Sequence, residues 1–301
     1  EVAGVKCDLC PRKCLVDRKK GEKGICGQTE NLKVARAALH FWEEPCISGD
    51  AGSGAVFFSG CPLHCVFCQN ENIANGTVGK EISLERLVDI FLELQEKGAN
   101  NINLVTPGHF VPQIVKALDQ AKKEGLTLPV VYNTSSYETV DTIKMLEGYV
   151  DIYLPDFKYM SPVLSKKYSH APDYAEVAKA AIAEMVRQTG KAVFVNGEED
   201  NLILSGTIVR HLTLPGCMAD SMQILKYLHE TYGDMIYISI MNQFTPLSNL
   251  EKYPELNRRI TDEEYETLVD YAIDIGIENG FIQEGDTAEE SFIPAFDCEG
   301  V

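Results

Sequence analysis

The chain has 301 residues, 45% of them hydrophobic, which is enough for one large α/β domain or two small ones. Its formal net charge of −18 disfavours nucleic acid as a partner, because binding phosphates requires Lys and Arg. It shows no run of about 18 apolar residues and no secretory signal. Its ten cysteines occur at metal-ligand spacings, so we expect a cytoplasmic protein that does not enter a membrane.

The first segment, residues 1–47, is rich in cysteine and charge and shows little periodic pattern. It contains Cys7, Cys10, Cys14 and Cys26, which predict a small knuckle held by a metal. Zinc and a second iron–sulfur cluster are the two candidates. The two-by-two grouping of the cysteines favours zinc.

A second set of cysteines follows an apolar run at residues 55–58. Cys61, Cys65 and Cys68 have the spacing C-x3-C-x2-C. Three thiolates on a four-iron, four-sulfur cube leave one iron without a protein ligand, and an open position at a metal indicates chemistry rather than structure. We expect the amino and carboxylate groups of S-adenosylmethionine (SAM) to chelate that iron. A zinc site with His64 or a remote residue as its fourth ligand, or three plain buried thiols, would be the alternatives.

From residue 55 onward, short apolar runs alternate with helical patterns. The predicted strands are 55–59, 102–106, 129–133, 151–155, 207–214 and 235–241. The predicted helices are 83–97, 112–124, 139–148, 174–189, 219–232 and 262–275. Residues 193–195 and 202–204 predict an inserted hairpin. This alternation predicts an α/β fold over residues 48–283, a barrel-like and mostly parallel sheet with its site at the carboxyl ends of the strands.

The acidic tail, residues 284–301, carries Phe292, Ile293 and Phe296. We expect these apolar side chains to dock the tail on the barrel.

Charged and amide side chains close three of the predicted strands. Asp156 and Lys158 stand two residues apart and therefore share one face of a strand. They predict either contacts to the cofactor or a structural ion pair. Asn133 ends another strand and would bond a ribose or cap the next turn. Arg210, inside an apolar strand, would bind the SAM carboxylate or pair with Asp156, because an unpaired buried charge is costly.

Two further strand ends carry candidate cofactor-binding residues. Thr106 and Gly108 follow the second strand, where the glycine would let backbone carbonyls approach an ammonium group. Asn242 ends the sixth strand. His109 fits an acid, a base or a rim residue equally well, and no pattern gives Cys217 a role. No catalytic side chain is predicted beyond the ligands of the cluster.

Several motifs of this chain occur together in one family. They are 57–61 with Cys65, Cys68, Gln69 and Asn70, then 156–158, 210–212, 214–216 and 241–246. On these residues the chain resembles radical SAM proteins of the pyruvate formate-lyase-activating-enzyme-like group, over nearly its whole length. The resemblance implies a partial (β/α)6 TIM-like barrel, a [4Fe–4S] cluster on the three cysteines and SAM across the barrel mouth. It also implies that Asn133, Asp156 and Lys158 contact the cofactor.

The resemblance further implies an oxidoreductase that cleaves SAM reductively and abstracts hydrogen from a substrate. A glycine of a partner protein is the first candidate, and another peptide or a small metabolite is the alternative. A flavodoxin or ferredoxin would supply the electron. Thr106-Pro107-Gly108-His109 stands where glycyl-radical activases carry a Gly-Gly-Glu type segment. A non-catalytic iron–sulfur electron carrier is the candidate from another class.

Overall fold

A computed structural model of the chain describes residues 6–197, 201–246, 250–283 and 294–301. These residues form one mixed sheet flanked by helices. The strands are β1 (Lys33–His40), β2 (Ser53–Phe58), β3 (Lys80–Glu81), β4 (Ile102–Val105), β5 (Val130–Thr134), β6 (Ile152–Pro155), β7 (Val193–Phe194), β8 (Ile203–Leu212), β9 (Tyr237–Met241) and β10 (Gly280–Ile282). Their order across the sheet is β10-β9-β8-β6-β5-β4-β2-β1-β3, with β7 paired to β8.

The six predicted strands correspond to β2, β4, β5, β6, β8 and β9, and each is parallel to its neighbour among them. Every residue of β2, β4, β5, β6 and β9 is buried, as expected for a parallel sheet that is covered on both faces. The predicted α/β fold class, a mostly parallel partial barrel that follows a cysteine-rich segment, is confirmed.

Helices follow the strands at the predicted places. They are α1 (Pro45–Ser48), α2 (Glu71–Ala74), α3 (Leu84–Glu96), α4 (Val111–Lys123), α5 (Val140–Lys144), α6 (Pro162–Ser169), α7 (Tyr174–Thr189), α8 (Met218–Tyr232) and α9 (Asp262–Asp274). Ser83 caps α3 by accepting a hydrogen bond from Arg86 N. Thr261 and Glu264 form a capping box at the start of α9. The predicted helix 139–148 is shorter than expected, and α1, α2 and α6 were not predicted.

The predicted hairpin is present, because Val193 and Phe194 of β7 pair antiparallel with the first residues of β8. The tip of that hairpin, 198–200, lies outside the described residues. Among the described residues, three strands were not predicted. One is β10 at the sheet edge, and the other two are β3 and β1, of which β1 is antiparallel to both β2 and β3. Strand β1 lies in a part of the chain that the sequence analysis assigned to the cysteine-rich segment. The segment boundaries at 47 and 283 stay predictions.

Residues 294–301 of the tail lie along β1. The backbone N–H of Ala37 donates to Glu299 O at 2.9 Å. The ring of Phe296 packs edge-on against Phe57 of β2, with ring centroids 5.4 Å apart. The other two residues predicted to dock the tail, Phe292 and Ile293, fall outside the described residues. In the ranges that can be described, no helix is long and apolar enough to cross a membrane.

His211 of β8 is a buried packing residue. Its Nδ1–H donates to Phe157 O and its Nε2 accepts from the Ser221 hydroxyl, each at 2.8 Å. Burial lowers the pKa of His211 from 6.5 to about 4. The unfolded chain therefore binds a proton that the folded chain does not, and stability falls as the pH drops from 6.5 towards 4.

We therefore expect His211→Asn to flatten the pH dependence of stability. Between pH 6.5 and 4, the unfolding free energy of the parent should fall by about 3 kcal/mol more than that of the variant, because the asparagine does not titrate. Urea unfolding at several pH values measures this difference. Equal slopes in parent and His211→Asn would contradict the assignment.

Candidate active site

The three cysteines of the C-x3-C-x2-C motif lie in the loop that joins β2 to α2. Each thiol is partly shielded from solvent. The sulfur of Cys61 accepts from the backbone N–H of Leu63 at 3.4 Å, and the sulfur of Cys65 accepts from the Ser169 hydroxyl at 2.9 Å. A backbone hydrogen bond from Cys68 N to Cys65 O closes the turn between the last two cysteines. Local backbone geometry therefore places three thiols on one short loop.

This loop packs closely against the N-terminal segment. Gly60 has φ +94°, and a side chain there would lie 2.5 Å from the carbonyl oxygen of Cys26, so only glycine fits. His64 lies between the first two cysteines of the motif. Its ring nitrogens already have hydrogen-bond partners, Ile25 O at 2.8 Å and Asn75 Oδ1 at 3.2 Å. The alternative of a zinc site that uses His64 is therefore disfavoured.

The three thiols open onto a cavity of about 260 Å³ at the carboxyl ends of the parallel strands. The cavity is lined by His40, Trp42, Glu43, Cys61, Leu63, Cys65, Phe67, Cys68, Gln69, Asn70, Val105, Thr106, Asn133, Thr134, Ser135, Asp156, Lys158, Arg210, Leu212, Met241, Gln243 and Pro294. Its wall therefore combines the thiols with a ring of amide, carboxylate and cationic side chains. This position agrees with the rule that sites in parallel sheets lie at the carboxyl ends of the strands.

Arg210 is the centre of the polar ring. Its Nε donates to Asp156 Oδ1 at 3.0 Å, its Nη1 to Glu43 Oε2 at 3.0 Å and its Nη2 to Asn133 Oδ1 at 2.7 Å. The other carboxylate oxygen of Asp156 accepts from Lys158 Nζ at 2.6 Å. Burial alone would raise the pKa of Asp156, but Lys158 and Arg210 outweigh it and hold that pKa below its usual value. Asp156 is therefore ionised and fixed by two cations.

The thiols themselves fit an iron–sulfur cluster. Burial, followed by the neighbouring Cys65, raises the pKa of Cys61 to about 11, and burial also raises the pKa of Cys65 and Cys68. Three bare thiolates would be costly here, and bound iron of positive charge would offset that cost. In the part of the chain that is described, no three Cys, His, Asp or Glu side chains converge on a single metal ion. A cubane does not require such convergence, because each thiolate binds a different iron.

Five of the seven predicted cofactor-binding residues line the cavity: Thr106, Asn133, Asp156, Lys158 and Arg210. Thr106 has φ +55°, a conformation that is rare without glycine, and its N–H donates to Asn133 O. Gly108 and Asn242 are not among the lining residues. A side chain at Gly108 would lie 2.4 Å from both carboxylate oxygens of Glu138, so this glycine makes room for a buried acid. The roles assigned to these seven residues stay predictions.

The sequence did not decide the roles of His109 and Cys217, and the structure places both side chains outside the cavity wall. His109 is buried, and its Nε2–H donates to Ser59 O at 2.6 Å. Burial lowers the pKa of His109 to about 3, so the ring stays neutral and is not a rim acid or base. Cys217 is half-buried beside Asp220, and burial raises its pKa to about 11. Cys217 does not line the cavity.

Three lining residues at and after the end of β1 were not predicted to belong to the site: His40, Trp42 and Glu43. Glu43 is the most important of them, because it accepts from Arg210 and also from Asn133 Nδ2 at 3.1 Å. A polar and aromatic run directly after an apolar segment was the available signal. It was overlooked because this stretch was assigned to the cysteine-rich segment.

The four N-terminal cysteines come near one another at the edge of the barrel. Burial raises the pKa of Cys10 to about 12, and Glu138, Cys26 and Cys14 add to this effect. The thiol of Cys26 in turn interacts with Cys7 and Cys14. The thiols therefore influence one another electrostatically, although in the described residues no three of them converge on a single metal ion, and a metal held by these four cysteines stays a prediction.

Comparisons with known proteins agree with this geometry. Residues 55–203 match the model of the Radical SAM superfamily. "Uncharacterized protein MJ0674" of Methanocaldococcus jannaschii is 27% identical over 276 residues, which are 88% of this chain and 74% of that protein.

Solved structures with the same fold are more distant in sequence. SuiB of Streptococcus suis, bound to S-adenosylmethionine, superimposes with a TM-score of 0.52 at 13% identity, over 75% of this chain and 49% of SuiB. HydG, a maturase of the [FeFe]-hydrogenase, superimposes with a TM-score of 0.51 at 15% identity, over 77% of this chain and 52% of HydG. The chain thus spans about half the length of these two proteins. Residues 55–203, which carry the cysteine loop and part of the cavity wall, are therefore similar to the Radical SAM superfamily.

Proposed function

We propose that this protein binds a [4Fe–4S] cluster on Cys61, Cys65 and Cys68 and binds SAM in the adjoining cavity. The observation that carries the proposal is that three thiols and a ring of fixed polar groups open onto the same space. When bound, the cluster and SAM would supply a reductive cleavage that yields a 5'-deoxyadenosyl radical able to abstract hydrogen. The chain's own residues would bind, orient and shield these groups.

The polar ring has donors and acceptors suited to the parts of SAM. Lys158 offers an ammonium group for a carboxylate, and Asp156 offers a carboxylate for an amino or ribose group. Asn133 lies beside them. Each guanidinium nitrogen of Arg210 already donates to Asp156, Asn133 or Glu43, so we assign Arg210 to holding these side chains rather than to binding the cofactor carboxylate. Thr106, Gly108 and Asn242 stay candidates for backbone or amide contacts.

For the substrate we propose a glycine in a partner polypeptide, as in the activating enzymes of glycyl radical enzymes that this chain resembles. SuiB, which shares the fold, has also been solved with its precursor peptide SuiA, so a fold of this kind accepts a peptide. Another peptide modification or a small metabolite is the alternative within the same chemistry. A flavodoxin or ferredoxin is the proposed electron donor.

An iron–sulfur electron carrier is the second candidate function. In an electron carrier, protein ligands occupy every iron of the cluster, and electron transfer does not require a ring of polar side chains beside it. Here the loop offers three thiols, and the cavity beside them is lined by Asp156, Lys158 and Asn133. The geometry therefore favours the enzyme.

Replacing one cluster ligand should abolish SAM cleavage. We expect anaerobically reconstituted Cys61→Ala to form 5'-deoxyadenosine from SAM more than about 100-fold more slowly than the parent, since loss of a ligand should exceed the 10–100-fold effect of losing a group that only supports one. Chromatographic quantification of 5'-deoxyadenosine with dithionite as reductant measures this rate. Cys298→Ala, which removes a half-buried thiol of the tail, should cleave SAM like the parent. Equal rates in Cys61→Ala and the parent would refute the cluster assignment.

The substrate class can be tested with isotopes. We expect deuterium in 5'-deoxyadenosine when the enzyme is incubated with a candidate partner polypeptide labelled at the glycine α-carbon, because hydrogen abstraction transfers the label to the product. Mass spectrometry of the nucleoside provides the measurement, and the same polypeptide labelled only at alanine is the control. SAM cleavage without deuterium transfer from any glycine-labelled candidate would favour the metabolite alternative.

A further inference from the structure

Arg12 reaches from the N-terminal cysteines to the cluster loop. It lies between Cys10 and Cys14 in the chain. Its Nε donates to Pro62 O at 2.9 Å, directly after Cys61. Its guanidinium group also lies over the ring of Tyr137, 5.1 Å from the ring centroid. One side chain of the four-cysteine segment therefore holds the backbone of the motif that carries the three thiols.

The other two nitrogens of Arg12 hold the end of α6. Nη2 donates to Ser169 O at 3.1 Å and Nη1 donates to His170 O at 2.6 Å. Ser169 is the last residue of α6 and is fully buried. Because its carbonyl oxygen is held by Arg12, its position depends on the N-terminal segment.

The hydroxyl of Ser169 points at a cluster ligand. It donates to Cys65 Sγ at 2.9 Å, and the hydroxyl of Tyr159 lies 2.7 Å from the same oxygen. Because Ser169 donates its proton to sulfur, Tyr159 must be the donor in the second bond. The backbone N–H of Val66 also donates to Tyr168 O at 2.9 Å and so attaches the loop to α6. Ser169 is thus a fixed donor to one thiolate.

A hydrogen bond to a ligand sulfur favours the more reduced state of an iron–sulfur cluster, because reduction increases the negative charge that the donor faces. Hydrogen bonds to the sulfurs are one of the factors that set cluster potentials. In the described residues, Cys65 is the only one of the three thiols to accept from a side-chain hydroxyl. The donor Ser169 is fully buried, so water cannot easily replace it.

We propose that Ser169 is a positioning residue that raises the reduction potential of the cluster on Cys61, Cys65 and Cys68, and that Arg12 makes this effect depend on the four-cysteine segment. The inference rests on the proposed function, because it requires that cluster. It assigns the N-terminal cysteines a role in tuning the site, beyond holding a knuckle together.

The test is a redox titration of the full chain, reconstituted without oxygen and followed by electron paramagnetic resonance. We expect Ser169→Ala to lower the equilibrium constant for one-electron reduction of the cluster about tenfold, which corresponds to a midpoint ~59 mV more negative. Ser165→Ala is the matched control. Ser165 is buried on the same helix, and its hydroxyl donates to Pro162 O instead of to sulfur. The control should titrate like the parent.

A second variant keeps the test informative if Ser169→Ala fails to fold. Arg12→Lys retains the positive charge but cannot hold three carbonyl groups. We expect a smaller shift of the midpoint in the same direction, with an iron content equal to that of the parent. Arg18→Lys is its control, because Arg18, a buried residue of the same N-terminal segment, likewise lies over an aromatic ring but donates to Thr29 O and His109 O.

The outcomes separate the inference from the proposed function. A cubane signal whose midpoint is the same in parent, Ser169→Ala and Arg12→Lys would overturn the inference and leave the proposed function intact. A parent without any cubane signal would overturn both. A negative shift confined to Ser169→Ala and Arg12→Lys, and absent from their controls, supports the inference.

Discussion

The buried guanidinium group of Arg210 is the constraint on which the active end of this sheet depends. A buried charge is tolerated only when acceptors surround it, and those of Arg210 come from separate parts of the chain. Asp156 follows β6, Asn133 belongs to β5, and Glu43 follows β1. The carboxyl ends of β5 and β6 therefore meet at Arg210, and Glu43 reaches it from β1, whose antiparallel pairing puts its last residue beside the first residue of β2. The cysteine loop starts at the carboxyl end of β2, the same end as Asn133 and Asp156, so the polar ring and the thiols share one cavity.

Much of the fold and of the candidate site could be predicted from the sequence, because the sequence signals that indicate them are local. The spacing of Cys61, Cys65 and Cys68 requires only one loop, and the alternation of short apolar runs with amphipathic helices determines a parallel sheet. Once the sheet is known, residues that close its strands must face one end. Asp156, Lys158 and Asn133 were identified in this way, without any knowledge of their partners.

The missed features depend on contacts between distant parts of the chain. Strand β1 has buried residues on both faces and so lacks the alternation that marks a half-buried strand. Its antiparallel pairing with β2 carries Glu43 to Arg210, and no spacing in the sequence shows this. Gly108 suggested an approach to a ligand. The structure instead places it against Glu138, because a glycine next to a buried acid has the same sequence signature as a glycine next to a cofactor.

Charge balance explains why so polar a ring can exist beside buried thiols. Arg210 and Lys158 contribute two positive charges, and Glu43 and Asp156 contribute two negative ones, so the ring is neutral. Burial raises the pKa of the adjacent Glu44, which disfavours a third negative charge. A ring without net charge exerts no net electrostatic repulsion on a sulfonium cation. With the proposed cluster in place, Ser169, which donates to the sulfur of Cys65, would act directly on the charge that the cluster and its ligands share.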